Sequence, residues 1–242
     1  MTRVLVKKID ALTTKAPVIL AIESSGDLLS VALWADGAVC HHEFCAGRHG
    51  HAAHIVTIVE QLMKTAKITY AQITHIAAGC GPGSFTGIRV ALAAAKGFCL
   101  STGAAGIGVN GLAALAARHC GSVPVLVSAE TRRGPCYAQL FDRDGTALTS
   151  AFETLPSEIS FVLPSGLAEL VIAGWQADKL AASLKTAGKG VLVEAVHAAE
   201  RVDATHIAAF AEGLIEADEA VEEMTPLYLA PAFLGLDKQA GK

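Results

Sequence analysis

Four groups of residues have the types and spacing that chemistry requires. His49, His51 and His54, with His41 and His42 close by, supply imidazoles, and the three-residue step from His51 to His54 puts both on one helical face, as metal ligands require. No carboxylate or cysteine completes the set nearby, so a polar helix start is the simpler reading. Ser84 lies in a glycine-rich turn that could expose a nucleophile. The G-x-S-x-G elbow fails, however, because Pro82 occupies the first glycine's place, and no ordered His and Asp partners stand out. Gly81-x-Gly83-x-x-Thr86 imitates a dinucleotide fingerprint, but its third small residue is a threonine and the chain before it reads as a three-strand unit, not an opening βαβ. Glu23 and Glu130 each close an apolar run, where an acid could hold a nucleotide's metal ion.

The elements that must position these residues centre on one corner. Gly81-Pro82-Gly83-Ser84-Phe85-Thr86-Gly87-Ile88-Arg89 follows the short apolar run Ile76-Ala77-Ala78 and opens a long helical pattern. Its glycines permit a sharp turn, Pro82 restricts one dihedral, and Ser84 or Thr86 can accept the unpaired amides of the helix beginning there. Beyond it, Gly87, Ala91, Ala94, Ala95 and Phe98 recur at helical spacing, with Ile88, Leu92 and Cys99 as a second stripe. A helix apolar on two flanks needs two neighbours. One is the chain's own sheet. The other is either a further layer of the same chain or a helix from another chain, which a Gly and Ala face would let approach closely. The helix carrying Ile55, Val56, Ile58, Val59, Leu62 and Met63 also has two apolar flanks.

The whole-chain figures exclude several functions. The 242 residues allow one large domain or two of ordinary size. A net charge of −4 argues against an autonomous nucleic-acid binder, which needs a basic face. Charged residues interrupt every apolar run well short of the ~20 residues that a membrane span needs. The first seventeen residues hold only the apolar run Val4-Leu5-Val6, too short for a signal-peptide core, so a cytoplasmic protein is expected. Six cysteines without a C-x-x-C pair read as reduced, mostly buried thiols.

An internal repeat sets the architecture. Shifting the chain by 107 positions lays Val125-Leu126-Val127-Ser128-Ala129-Glu130-Thr131 over Val18-Ile19-Leu20-Ala21-Ile22-Glu23-Ser24, Leu140-Phe141 over Leu33-Trp34, and residues 146–152 over 39–45. Two copies of a strand-strand-strand-helix unit, each with an acid at the end of its first strand, suggest an α/β fold of the duplicated actin-like ATPase (ribonuclease H-like) kind. In that architecture two mixed sheets flanked by helices grip phosphates between turns. The first turn, Glu23-Ser24-Ser25-Gly26, could do so. The second, Glu130-Thr131-Arg132-Arg133-Gly134-Pro135, has two arginines and a proline where a glycine-rich turn is needed. The scaffold reads as kept and the nucleotide site as mostly lost.

Three stretches then carry a resemblance: Ile19 to Ser25, Gly79 to Arg89, and Gly106-Ile107-Gly108-Val109-Asn110-Gly111-Leu112 are similar to the bacterial TsaB family, also called YeaZ. Arg133-Gly134-Pro135-Cys136-Tyr137 and Tyr228-Leu229 stand where that family has its arginine-glycine-x-x-tyrosine and tyrosine-leucine motifs. The chain departs from the family's pattern at Glu23, usually aspartate, at His51-Ala52-Ala53-His54, at Glu130-Thr131 and at Ala230.

The resemblance implies a non-catalytic subunit of the machinery that makes threonylcarbamoyladenosine in tRNA. Its partners would be a TsaD-like catalytic subunit, a TsaE-like ATPase and a second copy of itself. It would reach tRNA only through the complex and bind no cofactor tightly alone, with ATP and metal belonging to the partners. The expected interface comprises Ser84, Phe85, Gly87, Ile88, Ala91, Ala94, Ala95 and Phe98 on one helix and Ile55, Val59 and Leu62 on the other. On this expectation Ala91→Arg abolishes assembly and spares folding. The competing expectation is an actin-like ATPase or small-molecule kinase with Glu23 as its metal acid. The expected organisation is a tail over 1–17, an N-terminal lobe over 18–110 rejoined by 203–230, a C-terminal lobe over 111–202 and a second tail over 231–242.

Overall fold

The computed structural model describes residues 5–6, 16–35, 37–46, 51–131, 133–188, 190–198 and 200–229. Within the expected first tail, Leu5–Val6 (β1) pairs antiparallel with the outer strand Ala38–Ala46 (β4). Val18–Glu23 (β2) is buried at all six positions, as its unbroken apolar run requires of a strand covered on both faces. It pairs antiparallel with Leu28–Ala35 (β3), which pairs antiparallel with β4. After the helix His51–Ala66 (α1), His75–Gly79 (β5) lies parallel to β2 on its other side. The long helix Phe85–Thr102 (α2) then leads to Ala105–Val109 (β6), parallel to β5.

The second half repeats this construction. Gly111–Ala116 (α3), capped by the Asn110 side chain, precedes Val125–Glu130 (β7), Cys136–Phe141 (β8) and Phe152–Thr154 (β9), three strands paired antiparallel in sequence. Ile159–Val162 (α4), Glu169–Gly174 (β10), Ala177–Thr186 (α5) and Leu192–Ala198 (β11) follow, and both later strands run parallel. The orders β4-β3-β2-β5-β6 and β9-β8-β7-β10-β11 are the same arrangement built twice. The final strand falls later than its apolar residues 190–193 suggest, because pairing with β10 carries it on to Ala198.

Each sheet is covered on both faces. Leu20, Ile22, Leu33 and Ile76 pack under α1 and α2. The opposite face, with Ile19, Ala21, Ala32 and Ile107, packs against Ala204–Glu216 (α6) through Ala204, Ile207, Ala208 and Ala211. In the second sheet, Leu126, Leu140 and Leu170 pack with α4 and α5, while Val125, Val127 and Phe141 pack with Leu112 and Leu115 of α3. Thus α3 covers the second sheet and α6 the first, each on the face turned away from that lobe's other helices. Residues 222–228 then return to the first sheet: the Gly108 N–H donates to the Glu222 carbonyl at 2.8 Å, and the Leu227 N–H to the Cys80 carbonyl at 2.8 Å.

Candidate functional site

The glycine corner joins β5 to α2 and is bolted to the turn after β2. The Ser84 N–H donates to the Ser25 carbonyl at 2.7 Å, and the Ser24 hydroxyl donates to the Gly87 carbonyl at 2.7 Å. A Cβ at Gly83 would collide with the Ser25 carbonyl and one at Gly87 with the Ser24 carbonyl, so both glycines serve this close approach. Gly81 adopts φ +97°, which only glycine takes up readily. The Ser84 Oγ caps α2 by accepting the Gly87 N–H at 3.2 Å, which gives the hydroxyl a structural task.

This arrangement corrects much of the expected interface. Ile88, Ala91 and Ala95 of α2, and Ile55, Val59 and Leu62 of α1, are at most 1% exposed within the chain's own core, and Gly87 is buried against Ser24. They have no surface left to offer a partner. Ala94 and Phe98 are half-buried at the margin of the same core, and Phe98 stacks with Tyr70 at 6.3 Å. Ser84 and Phe85 are half-buried beside the corner. The physical reason is rotational. Both stripes of α2 are small or apolar, and packing under β2 and β5 buries the line where they meet, Ile88, Ala91, Leu92 and Ala95.

The stripe left outside is shifted by one helical position. Thr86, Ala93, Gly97 and Leu100 are exposed and Val90 is half-buried, so positions 86, 90, 93, 97 and 100 form a 4-3-4-3 seam suited to helix-on-helix packing. Leu100 is 89% exposed and Val56 of α1 is 53% exposed. At the corner end of the seam, the Arg89 guanidinium lies 3.8 Å above the Phe85 ring and donates to the Tyr228 hydroxyl at 2.8 Å, and the two aromatic rings are 4.9 Å apart. Sequence reasoning gives Arg89 and Val90 no role at the site and Tyr228 only a place in the tyrosine-leucine motif. The available signal was the seam's heptad spacing, which the parallel stripe beside it masked.

A concave feature among the described residues is the cleft between the lobes. It is lined by the β2–β3 turn (Ser25, Gly26, Asp27), Ser128 and Glu130 of β7, the start of α3, Trp175 and residues 200–202. Glu23 is absent from this lining, which corrects its expected role as a metal acid. Its carboxyl is 2% exposed, accepts the Ser25 N–H through Oε1, and leaves Oε2 without a hydrogen bond. A side chain at Gly79 would collide with that carboxylate, so the glycine makes room for it. Burial pushes the Glu23 pKa above its ordinary value, only partly offset by hydrogen bonds from Ser25. An acid whose charged form is disfavoured by burial in this way is a poor ligand for a cation. In the second turn Arg133 is occupied by Glu153, with Nη2 at 3.1 Å from Oε1, and the Ser128 hydroxyl donates to the Trp175 carbonyl at 2.6 Å.

A pH effect follows. Below about pH 4.5 the Glu23 carboxyl is protonated in both folded and unfolded chains, so it has no influence there. As pH rises, the unfolded chain releases the proton first, and the fold loses stability until the buried group ionises as well, by at most about 1.4 kcal/mol per pH unit. Glu23→Gln is therefore expected to gain thermal stability relative to the parent as pH is raised from 4.5 towards 7. A difference in Tm that does not change with pH would contradict a raised pKa for the buried acid.

Of the histidines considered for metal binding, His49 lies outside the described residues, as do the side chains of His41, His42 and His51. His54 is exposed on α1. The thiols of Cys80 and Cys136 are buried, and burial pushes each up to about 11, which makes them packing residues and not nucleophiles. Among the described residues no helix is long and apolar enough to cross a membrane.

Duplicated sheets, exchanged closing helices and an interlobe cleft define a protein of the actin-like ATPase (ribonuclease H-like) fold. A family model described as TsaD, tRNA N6-adenosine threonylcarbamoyltransferase, matches residues 45–233. The chain is 35% identical over 140 residues to the tRNA threonylcarbamoyladenosine biosynthesis protein TsaB of Escherichia coli K12, which covers 56% of this chain and 60% of that one. It is 30% identical over 141 residues to the TsaB of Buchnera aphidicola subsp. Schizaphis graminum, covering 57% and 66%. The matched region is thus less than two thirds of either relative's length. A solved structure, YeaZ from Pseudomonas aeruginosa, superposes with a TM-score of 0.69 at 23% identity, covering 88% of this chain and all of that one, which establishes the shared fold. The chain belongs to the family described by the TsaD model, and the curated relatives that it resembles are named TsaB.

Proposed function

We propose that this chain is a non-catalytic subunit of a complex that makes N6-threonylcarbamoyladenosine in tRNA, and that it supports a TsaD-like catalytic subunit by docking through its N-terminal lobe. The observation that carries this reading is the exposed 4-3-4-3 seam on α2, with the Phe85, Arg89 and Tyr228 cluster at its corner end. Small residues at Ala93 and Gly97 permit a second helix to approach closely, and beyond its own helix backbone nothing lies within 4 Å of a Cβ built at Gly97. The names of the TsaB relatives support the process. A chain whose first-turn acid is sealed in the core is better suited to assembly than to nucleotide chemistry. In the partner's absence the same seam would pair two copies of this chain. A TsaE-like ATPase would join the assembled pair, ATP and the catalytic metal would sit in the partner subunits, and tRNA would be met only by the whole complex.

Co-expression with a TsaD chain followed by size-exclusion chromatography tests this. Co-elution as a stoichiometric complex is expected, with the isolated subunit running as a dimer and showing no ATP turnover. Separate elution, combined with tight one-to-one binding of Mg-ATP to the isolated chain, would overturn it.

A further inference from the structure

A second cluster of metal-ligating side chains forms away from the histidines that stand together in sequence. His119 follows α3 in a turn closed by its N–H on the Ala116 carbonyl, His197 lies on β11, Glu200 comes just after that strand, and His206 is on the first turn of α6. His119 Nε2 is 2.6 Å from Glu200 Oε2, and the rings of His119 and His197 are 4.2 Å apart. The ligand atoms of His119, His197 and Glu200 all lie within 4.8 Å of one another. Two imidazoles and a carboxylate form a donor set that zinc and its first-row neighbours favour. Bonds of about 2.0–2.2 Å in a tetrahedral site separate ligand atoms by roughly 3.3 Å, so side-chain shifts on the order of 1 Å would bring all three to one ion.

His206 supplies an independent observation. Its Nε2 is buried and has no hydrogen-bond partner, and it points to Glu200 Oε1 from 3.8 Å. On its other side, Nδ1 is 2.9 Å from a carboxylate oxygen of Asp203, and in the tautomer that zinc binding selects it donates its proton there instead of accepting the Asp203 N–H 3.2 Å away. An imidazole whose Nδ1–H is held by a carboxylate presents a lone pair on Nε2, the arrangement that orients histidine ligands in metal sites. The opposing charge is Arg118, whose Nε is 3.8 Å from Glu200 Oε1, but its side chain is 55% exposed and can turn away to solvent.

We propose that His119, His197 and Glu200, with the buried Nε2 of His206 as a fourth ligand, bind one zinc ion at the junction of the lobes. The ion would tie the turn after α3 and the end of β11, both packed on the second sheet, to the start of α6, which packs on the first. Because Glu200 also lines the interlobe cleft, the ion would hold the two lobes at a set opening. This site is independent of the proposed docking seam and needs no partner chain.

Zinc titrated calorimetrically into the full-length, chelator-stripped chain tests the proposal. The parent is expected to bind one equivalent at micromolar or better affinity and to melt at a higher temperature when loaded. His197→Ala changes an exposed residue, so its fold should persist by circular dichroism. His197→Ala and Glu200→Gln should each weaken binding about tenfold or more and abolish the shift in Tm. A triple variant with alanine for His49, His51 and His54 should bind as the parent does. Absence of saturable micromolar binding would overturn the site. So would binding that is lost in the triple variant, or that is undiminished in a folded His197→Ala protein.

Discussion

Arginine at position 91 is expected to unfold the N-terminal lobe, whereas arginine at position 93 should leave the fold intact and eliminate both self-association and capture of a TsaD-like chain. Ala91 is 0% exposed and packs in the core with Ile88, Leu92 and Ala95 on one side and the strands of the first sheet on the other. A guanidinium there would be an uncompensated charge in a close-packed space, which costs about 3–5 kcal/mol before any overpacking strain is added. With overpacking strain of about 1–3 kcal/mol added, the total of about 4–8 kcal/mol matches the whole stability of a domain near the low end of the usual range of about 5–15 kcal/mol, so the lobe should unfold or melt far below the parent. Ala93 stands on the exposed seam, and a change there should alter monomer stability by no more than about 0.5 kcal/mol. At a helix-helix contact, however, the same side chain would hold the partner's backbone away. Thermal unfolding and size-exclusion chromatography of the two variants separate these outcomes. A folded Ala91→Arg protein would mean that the core assignment is wrong, and a complex that survives Ala93→Arg would place the docking surface elsewhere.

The second large effect is expected at Gly87. The added Cβ of Gly87→Ala would occupy the position of the Ser24 carbonyl, and relieving that collision would break the bond from the Ser24 hydroxyl to the Gly87 carbonyl and loosen the Ser84 cap. A loss of about 3 kcal/mol is expected, at the high end for a single added methyl, because the obstruction is backbone on backbone and cannot rotate away. Gly97→Ala is the control on the same helix. Beyond its own helix backbone nothing lies within 4 Å of its Cβ, and replacing a mid-helix glycine by alanine should stabilise the isolated chain by about 0.5–1 kcal/mol. Denaturant unfolding of the two variants should therefore give opposite signs. Equal effects would remove the distinction between a glycine that locks the corner and one that merely lies on the surface.

The same pair of glycines shows how far the sequence could be read. From pattern alone both are small residues on a long amphipathic helix, and the pattern puts Gly87 on the partner face. Its actual neighbour, the Ser24 carbonyl, lies 63 positions earlier in the chain and is reached only when β2 and β5 pair. Arg89 and Tyr228, 139 positions apart, are likewise joined only by the return of the C-terminal segment to the corner. Glu23 looked like a cleft acid because it ends an apolar strand, but the direction of its side chain depends on the space left by Gly79 on the adjacent strand. The four residues of the proposed zinc site span 88 positions and come from a turn, a strand end, a loop and a helix start, so no local spacing rule could have gathered them.

Sequence alone determined the first strand of each half, the glycine corner and the duplicated architecture. Each of these is encoded locally, by alternation or continuity of apolar residues, by turn chemistry and by the repeat at 107 positions. Only the tertiary structure decided which flank of α2 is core and which is surface, that Glu23 is sealed away from the cleft, and that His119, His197, Glu200 and His206 converge. Alanine and glycine bury or expose at little cost either way, so a helix rich in them carries almost no rotational preference of its own. The bulky residues Ile88 and Leu92, packed under the sheet, supply that preference.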